Sequence, residues 1–161
     1  MTTKSKEHAF PVAVEWEGAR RVRVGVHRKA PLAVATPAQF HREADPSIWS
    51  PEDLLTAAAA SCLAVTIAGA AERDELLLEE LSVDATGIVG RRDDGTFGFT
   101  RIEQRVRVAV PVGDEGRARQ LVERAESTCL VAASLDAEIE TEVDVVGLAL
   151  GGVAGARLRD A

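Results

Sequence analysis

One segment constrains the fold more than any other. Residues 50–72 open with SPEDLLTAAAASCLAVTI and continue in alanine and glycine to Glu72. Ser50 has the side chain to accept an orphan N–H at a helix start, and Pro51 suits the first helical position. Glu52 and Asp53 complement the positive end of the helix dipole. Beyond them the segment is apolar nearly all round, a pattern that predicts a helix buried at the centre of the domain. Such a helix needs other layers to cover it, and the flanking sequence reads as strands.

Residues 10–26, FPVAVEWEGARRVRVGV, alternate valines with charges around Glu17-Gly18 and predict a hairpin. Residues 27–49 carry Pro31, Pro37 and Pro46 and are expected to be loop with one short strand. Residues 78–112 read as two long strands joined by RRDDGT. In the second, Ile102, Val106, Val108 and Val110 fall on one face and Arg101, Glu103, Arg105 and Arg107 on the other. Gly113 and Asp114 open a second helix, whose apolar stripe Ala118, Leu121, Val122 and Ala125 leads to Cys129. A last alternating strand spans 137–146. The order of strands, helix, strands, helix and strand defines an α+β layout. A single domain over 10–146 is expected, with an N-terminal tail over 1–9 and a flexible Gly/Ala-rich tail over 147–161.

Charge and composition narrow the function. Nineteen basic against twenty-six acidic residues give a net charge of −7, which argues against a nucleic-acid or anionic-membrane partner. Aromatics are 4% and tyrosine is absent, so base-stacking platforms are not on offer. No apolar run is expected to approach the roughly 18–20 residues that span a bilayer, and MTTKSKEHAF lacks a secretory apolar segment. The expected compartment is the cytoplasm, where thiols are kept reduced. His8, His27, His41 and the two cysteines lack metal-ligand spacing. Neither a phosphate loop nor a nucleophile elbow occurs. No metal and no cofactor are expected.

The thiols Cys62 and Cys129 remain. A cysteine in an apolar helix serves either as a small core residue or as a nucleophile. For chemistry it must be a thiolate, and a dry pocket opposes that. Arg42, Glu52 and Cys62 stand at intervals of ten residues. An arginine can stabilise a thiolate, and a carboxylate can hold that guanidinium in a bidentate grip. Glu52 is equally explained by capping, and Arg42 by a solvated loop. Ten residues of straight helix separate Glu52 from Cys62 by about 15 Å along the axis, so an arginine must bridge them or the helix must break.

The segment SPEDLLTAAAASC resembles the first cysteine segment of the OsmC/Ohr family, the osmotically inducible and organic hydroperoxide resistance proteins. RAESTCLVAASL is similar to that family's second cysteine segment, and the separation of the two is alike. The resemblance covers roughly residues 10–146. It implies an OsmC-like fold, with central helices wrapped by antiparallel sheet in an intertwined homodimer whose active sites lie at the subunit interface. It also implies a thiol peroxidase acting on organic hydroperoxides. Cys62 matches the peroxidatic cysteine, which becomes a sulfenic acid, and Cys129 the resolving cysteine, which closes a disulfide. The implied reductant is an external dithiol of lipoyl type. Glu52 matches the family's acidic residue after the proline. The activating arginine corresponds to Arg42 in the OsmC branch and to Arg20 or Arg21 in the Ohr branch; Arg42 is the favoured reading. Leu63 and Leu130, where phenylalanine and proline are frequent, mark a divergent member. The alternative is an OsmC-fold protein without efficient peroxidase activity, binding a small ligand or acting as a redox sensor.

Overall fold

The structure is a computed structural model that describes residues 7–149. Its elements run β1 (Ala13–Gly18), β2 (Arg21–Gly25), β3 (Leu32–Ala35), α1 (Pro51–Arg73), β4 (Glu80–Arg91), β5 (Phe97–Pro111), α2 (Glu115–Thr128), a 3-10 turn (Ala132–Ser134) and β6 (Glu138–Leu148). The chain forms two compact units, one ending at Leu54 and one beginning at Leu55, and each has a three-stranded sheet.

In the first unit the alternating valines and charges form the expected hairpin. β1 pairs antiparallel with β2, and β2 with β3, in the order β1-β2-β3. The hairpin turns through Gly18 and Ala19, both at positive φ (119° and 44°). The Glu17 carboxylate bonds to Arg23 and to Arg21, and these contacts, with Arg23 dominant, hold it below the usual carboxylate range. The loop before α1 is tied to β3 where the Ala35 N–H donates to the Trp49 carbonyl at 2.9 Å. The helix start then locks reciprocally. The Asp53 N–H donates to Ser50 Oγ (3.0 Å), while the Ser50 N–H and hydroxyl both donate to Asp53 Oδ2 (2.8 Å each). This is a capping box with Asp at the third position, and it fixes where α1 begins.

In the second unit β5 is the central strand, antiparallel to β4 and parallel to β6. The sheet is therefore mixed rather than wholly antiparallel as expected. The reason lies in the connection. β4 and β5 are joined by a short turn at 92–96, whereas β5 reaches β6 through the whole of α2, long enough to return the chain to the starting end of the sheet. β6 continues through Gly147 and Leu148, beyond the expected domain limit at 146. The remainder of the tail reading falls on residues 150–161 and, with residues 1–6, lies outside the described residues.

The core of this unit joins Leu63, Ile67, Ala70 and Ala71 of α1 to Val106, Val108 and Val110 of β5 and to Ala118, Leu121, Val122 and Ala125 of α2. The valines of β4 and β6 stand opposite those of β5, with Val83 and Val143 both in register with Val106. On the other face Arg101–Glu103 (2.8 Å) and Arg105–Glu142 (3.0 Å) form exposed ion pairs, a type that contributes about 0–1 kcal/mol.

The helix α1 corrects two expectations. It was expected to be buried all round, but Ser61, Val65 and Ala68 are exposed, Val65 at 67%. The buried residues are Ala59, Leu63, Ile67, Ala70 and Ala71, because those positions recur on the one face that meets the core. Moreover, α1 is long and apolar enough to cross a membrane by length and composition, contrary to the expectation that no segment is. A core helix built of alanine and leucine passes the same test.

Candidate active site

The second unit brings the two cysteines together. Cys62 lies in the regular part of α1, partly buried against the core, and Cys129 is the buried C-cap of α2. Both thiols are free, and they lie close enough for each to shift the titration of the other. At Cys129 the backbone leaves the helix for an extended conformation (φ −68°, ψ 111°), and the chain then winds into the 3-10 turn. The Ala133 N–H returns to the Cys129 carbonyl at 3.0 Å, and Ser134 Oγ donates to the Leu130 carbonyl at 2.7 Å. The N–H groups that open such a turn have no acceptor within it, so they can serve another group.

That group is sulfur. Burial pushes the Cys62 thiol up, but it is outweighed by hydrogen bonds from the Val131 N–H, the Cys129 thiol, the Leu130 N–H and the Thr66 side chain, leaving Cys62 below the ordinary cysteine value. In the structure the one Thr66 hydroxyl proton goes to the Cys62 carbonyl at 2.7 Å, the usual bond of a threonine one turn along the helix, and serves the sulfur only when the hydroxyl rotates away from it. Cys129 shifts the opposite way. Burial raises it most; the Ala132 and Val131 N–H groups oppose that, while the neighbouring Cys62 favours the protonated form as both hydrogen-bond acceptor and charge. The two thiols are thus shifted in opposite directions. Cys62 is the readier thiolate, and Cys129 holds its proton to higher pH.

A cavity of about 390 Å³ adjoins Cys129. Leu63 and Ile139 give it apolar walls, and Glu123 and Glu126 bring carboxylates to it. Gln104 also lines it and is only 5% exposed, with a buried Nε2 that has no hydrogen-bond partner. A buried donor in that state costs about 1–3 kcal/mol. Gln104 stands in the apolar register of β5 between Ile102 and Val106, opposite Ala85 of β4 and Thr141 of β6.

The other sequence candidates belong to the first unit. Glu52 is at the second position of α1, where it adds charge to the helix start, and its Oε2 is buried. Arg42 is exposed on a turn and takes part in none of the ion pairs among the described residues. Arg20 is exposed at the hairpin, its carbonyl accepting the Thr36 N–H at 3.2 Å, and Arg21 bonds to Glu17 at 3.3 Å. α1 runs unbroken from Pro51 to Arg73, which removes the option of a helix break.

Sequence reasoning did not find Leu130, Val131, Thr66 or Gln104. The first two act through backbone N–H groups, which have no side-chain signature. Thr66 was detectable as the residue four beyond Cys62 on the same helical face. Gln104 was detectable as the polar interruption of an apolar strand face.

Two helices and two sheets carrying a contacting thiol pair define an α+β protein with a two-cysteine site. The model of the family described as OsmC-like protein matches residues 44–144, and the chain belongs to that family. Among curated proteins it is similar to YmaD of Bacillus subtilis (strain 168), 27% identical over 150 residues, with 91% of this chain and 98% of YmaD covered. Among solved structures it resembles an OsmC-like protein of unknown function from Vibrio cholerae, with TM-score 0.79 and 18% identity over 85% of this chain and 99% of that one. It also resembles an organic hydroperoxide resistance protein from Elizabethkingia anophelis, with TM-score 0.70 and 20% identity over 92% of this chain and 100% of that one. At these identities the structural likeness speaks for the fold, which is OsmC-like.

Proposed function

We propose that the chain is a thiol-dependent peroxidase that reduces organic hydroperoxides. In this reading the Cys62 thiolate attacks the O–O bond. Its sulfur takes the terminal oxygen and becomes a sulfenic acid, and the alkoxide leaves and gains a proton to become the alcohol. The Cys129 sulfur then attacks the sulfenic sulfur, water departs, and a Cys62–Cys129 disulfide remains. An external dithiol, of lipoyl type by family resemblance, reduces it. The observation that carries the reading is the contact between two thiols pushed in opposite directions, Cys62 toward thiolate and Cys129 toward thiol. A nucleophile needs the first property, and a partner waiting to resolve it tolerates the second.

Arg42 is assigned the role of steadying the thiolate and contacting the peroxide, with Glu52 holding its guanidinium; the family resemblance and the ten-residue spacing support this. A homodimer in the cytoplasm completes the reading. The uncovered face of α1 at Ser61, Val65 and Ala68 supports a second copy there, since an exposed apolar helix face favours association. The relative described as an organic hydroperoxide resistance protein supports the substrate class.

A second reading is an OsmC-fold protein that lacks efficient turnover and senses redox state or binds a small ligand. It is favoured by the neutral character of the leading groups that stabilise the Cys62 thiolate. One experiment separates the two: reduced protein is mixed with cumene hydroperoxide while free thiol is followed and the products are mapped. Rapid disulfide formation in the wild type is expected, with a trapped sulfenic acid in Cys129→Ser and oxidation at background rate in Cys62→Ser. Oxidation no faster than that of free cysteine contradicts the peroxidase reading.

A further inference from the structure

Cys62 comes from the middle of α1 and Cys129 from the end of α2, so no local spacing in the sequence announces them as a pair. Both are free thiols, and they meet where Cys62 packs against the core cluster that contains Cys129. Among the described residues no group of three or more His, Cys, Asp or Glu side chains is placed to hold a metal ion. The pair therefore offers two sulfurs and no third such ligand. Thiolate sulfur selects soft cations, and Zn(II) in a structural site takes four ligands. A monovalent d10 cation is satisfied by two sulfurs in line. We propose that the free Cys62–Cys129 pair is a linear two-coordinate site for Cu(I), reached through the cavity beside Cys129. The proposal concerns the reduced protein and does not depend on turnover of peroxide.

Binding moves protons but no electrons. Cu(I) forms a bond to each Sγ, and each thiol releases its proton to solvent. Two thiolates and one cation leave a single negative charge in mostly apolar surroundings, a state that is costly unless it is hydrogen-bonded. The turn after α2 supplies those bonds. The Leu130 and Val131 N–H groups serve the Cys62 sulfur, and the Val131 and Ala132 N–H groups serve that of Cys129. A disulfide has no thiolate to offer, so oxidation of the pair and binding of the cation exclude each other.

The approach also favours a cation. The cavity of about 390 Å³ has Cys129 as one wall, and Glu123 and Glu126 bring carboxylates to it. No basic side chain lines it. Carboxylates so placed raise the local concentration of cations and thereby the rate of encounter. They act here by attraction and not as ligands, which leaves the two sulfurs to hold the ion.

The test is a competition for Cu(I) between the reduced full-length chain and bathocuproine disulfonate under anaerobic conditions, read by the absorbance of the chelator complex. The wild type is expected to withhold one Cu(I) per chain. Cys62→Ser and Cys129→Ser are each expected to bind about 100-fold more weakly or worse, because the second thiolate then no longer acts as an intramolecular ligand. Wild type oxidised with diamide is expected to leave all the copper with the chelator. An affinity undiminished in either serine variant, or retained after diamide, overturns the proposal. X-ray absorption of the loaded protein is expected to show two sulfur neighbours, and three or more ligands overturn the linear site. The combined variant Glu123→Gln, Glu126→Gln is expected to load more slowly at low salt and to the same final stoichiometry. An unchanged loading rate overturns the route through the cavity.

Discussion

The middle of α1 and the end of α2 each present a cysteine, and their backbones make these residues different reagents. Cys62 sits in regular helix, where its own backbone groups are committed to helical hydrogen bonds. Cys129 sits where a helix stops, in an extended conformation followed by a 3-10 turn. The irregular end has N–H groups to spare and the regular middle has none. That of Leu130 serves the Cys62 sulfur and that of Val131 serves both sulfurs, so the region around Cys129 favours the Cys62 thiolate. Burial alone pushes both thiols up and both receive backbone N–H groups; what separates them is their mutual contact, which favours thiolate at Cys62 and thiol at Cys129.

Three substitutions sharpen this contrast, in descending order of expected effect. If Arg42 supplies a charge-assisted hydrogen bond, Arg42→Ala slows peroxide oxidation of Cys62 by roughly 10- to 100-fold in stopped-flow thiol loss. An unchanged rate moves that role to Arg20 or Arg21. Val131→Pro removes one backbone donor at a residue whose φ of −68° suits proline. It is expected to raise the Cys62 pKa and to slow oxidation at neutral pH by about tenfold, a loss that higher pH restores. Thr66→Val keeps the shape of the side chain and removes its hydroxyl. The same assay should register a loss of only about two- to fivefold, with the pH profile again moved to the alkaline side.

Much of the fold was legible because it is written in periodicity and capping. Ser50, Pro51 and Asp53 announce the start of α1, and the alternation of valine and arginine announces β2 and β5. The parallel pairing of β5 with β6 was not legible, since nothing local in residues 138–148 distinguishes a parallel neighbour from an antiparallel one. The exposed face of α1 was hidden for a related reason: alanine at Ala68 reads the same whether covered or bare. At the site, the two thiols could be named from sequence, and Cys62 and Cys129 do meet in the structure. The groups that tune them could not, because Leu130 and Val131 act through atoms that every residue but proline possesses.

The opposite shifts of the two thiols are the central claim, and site-resolved alkylation tests them most directly. Reduced wild-type protein is pulsed with iodoacetamide across a pH series, and modification at Cys62 and Cys129 is quantified separately by mass spectrometry. Thiolate is the reactive form, so a lowered pKa moves the rise in labelling to lower pH and a raised one moves it higher. Labelling of Cys62 is expected to rise below the pH typical of cysteine, about 8.5, and that of Cys129 above it. Coincident profiles, or Cys129 rising first, would contradict the account.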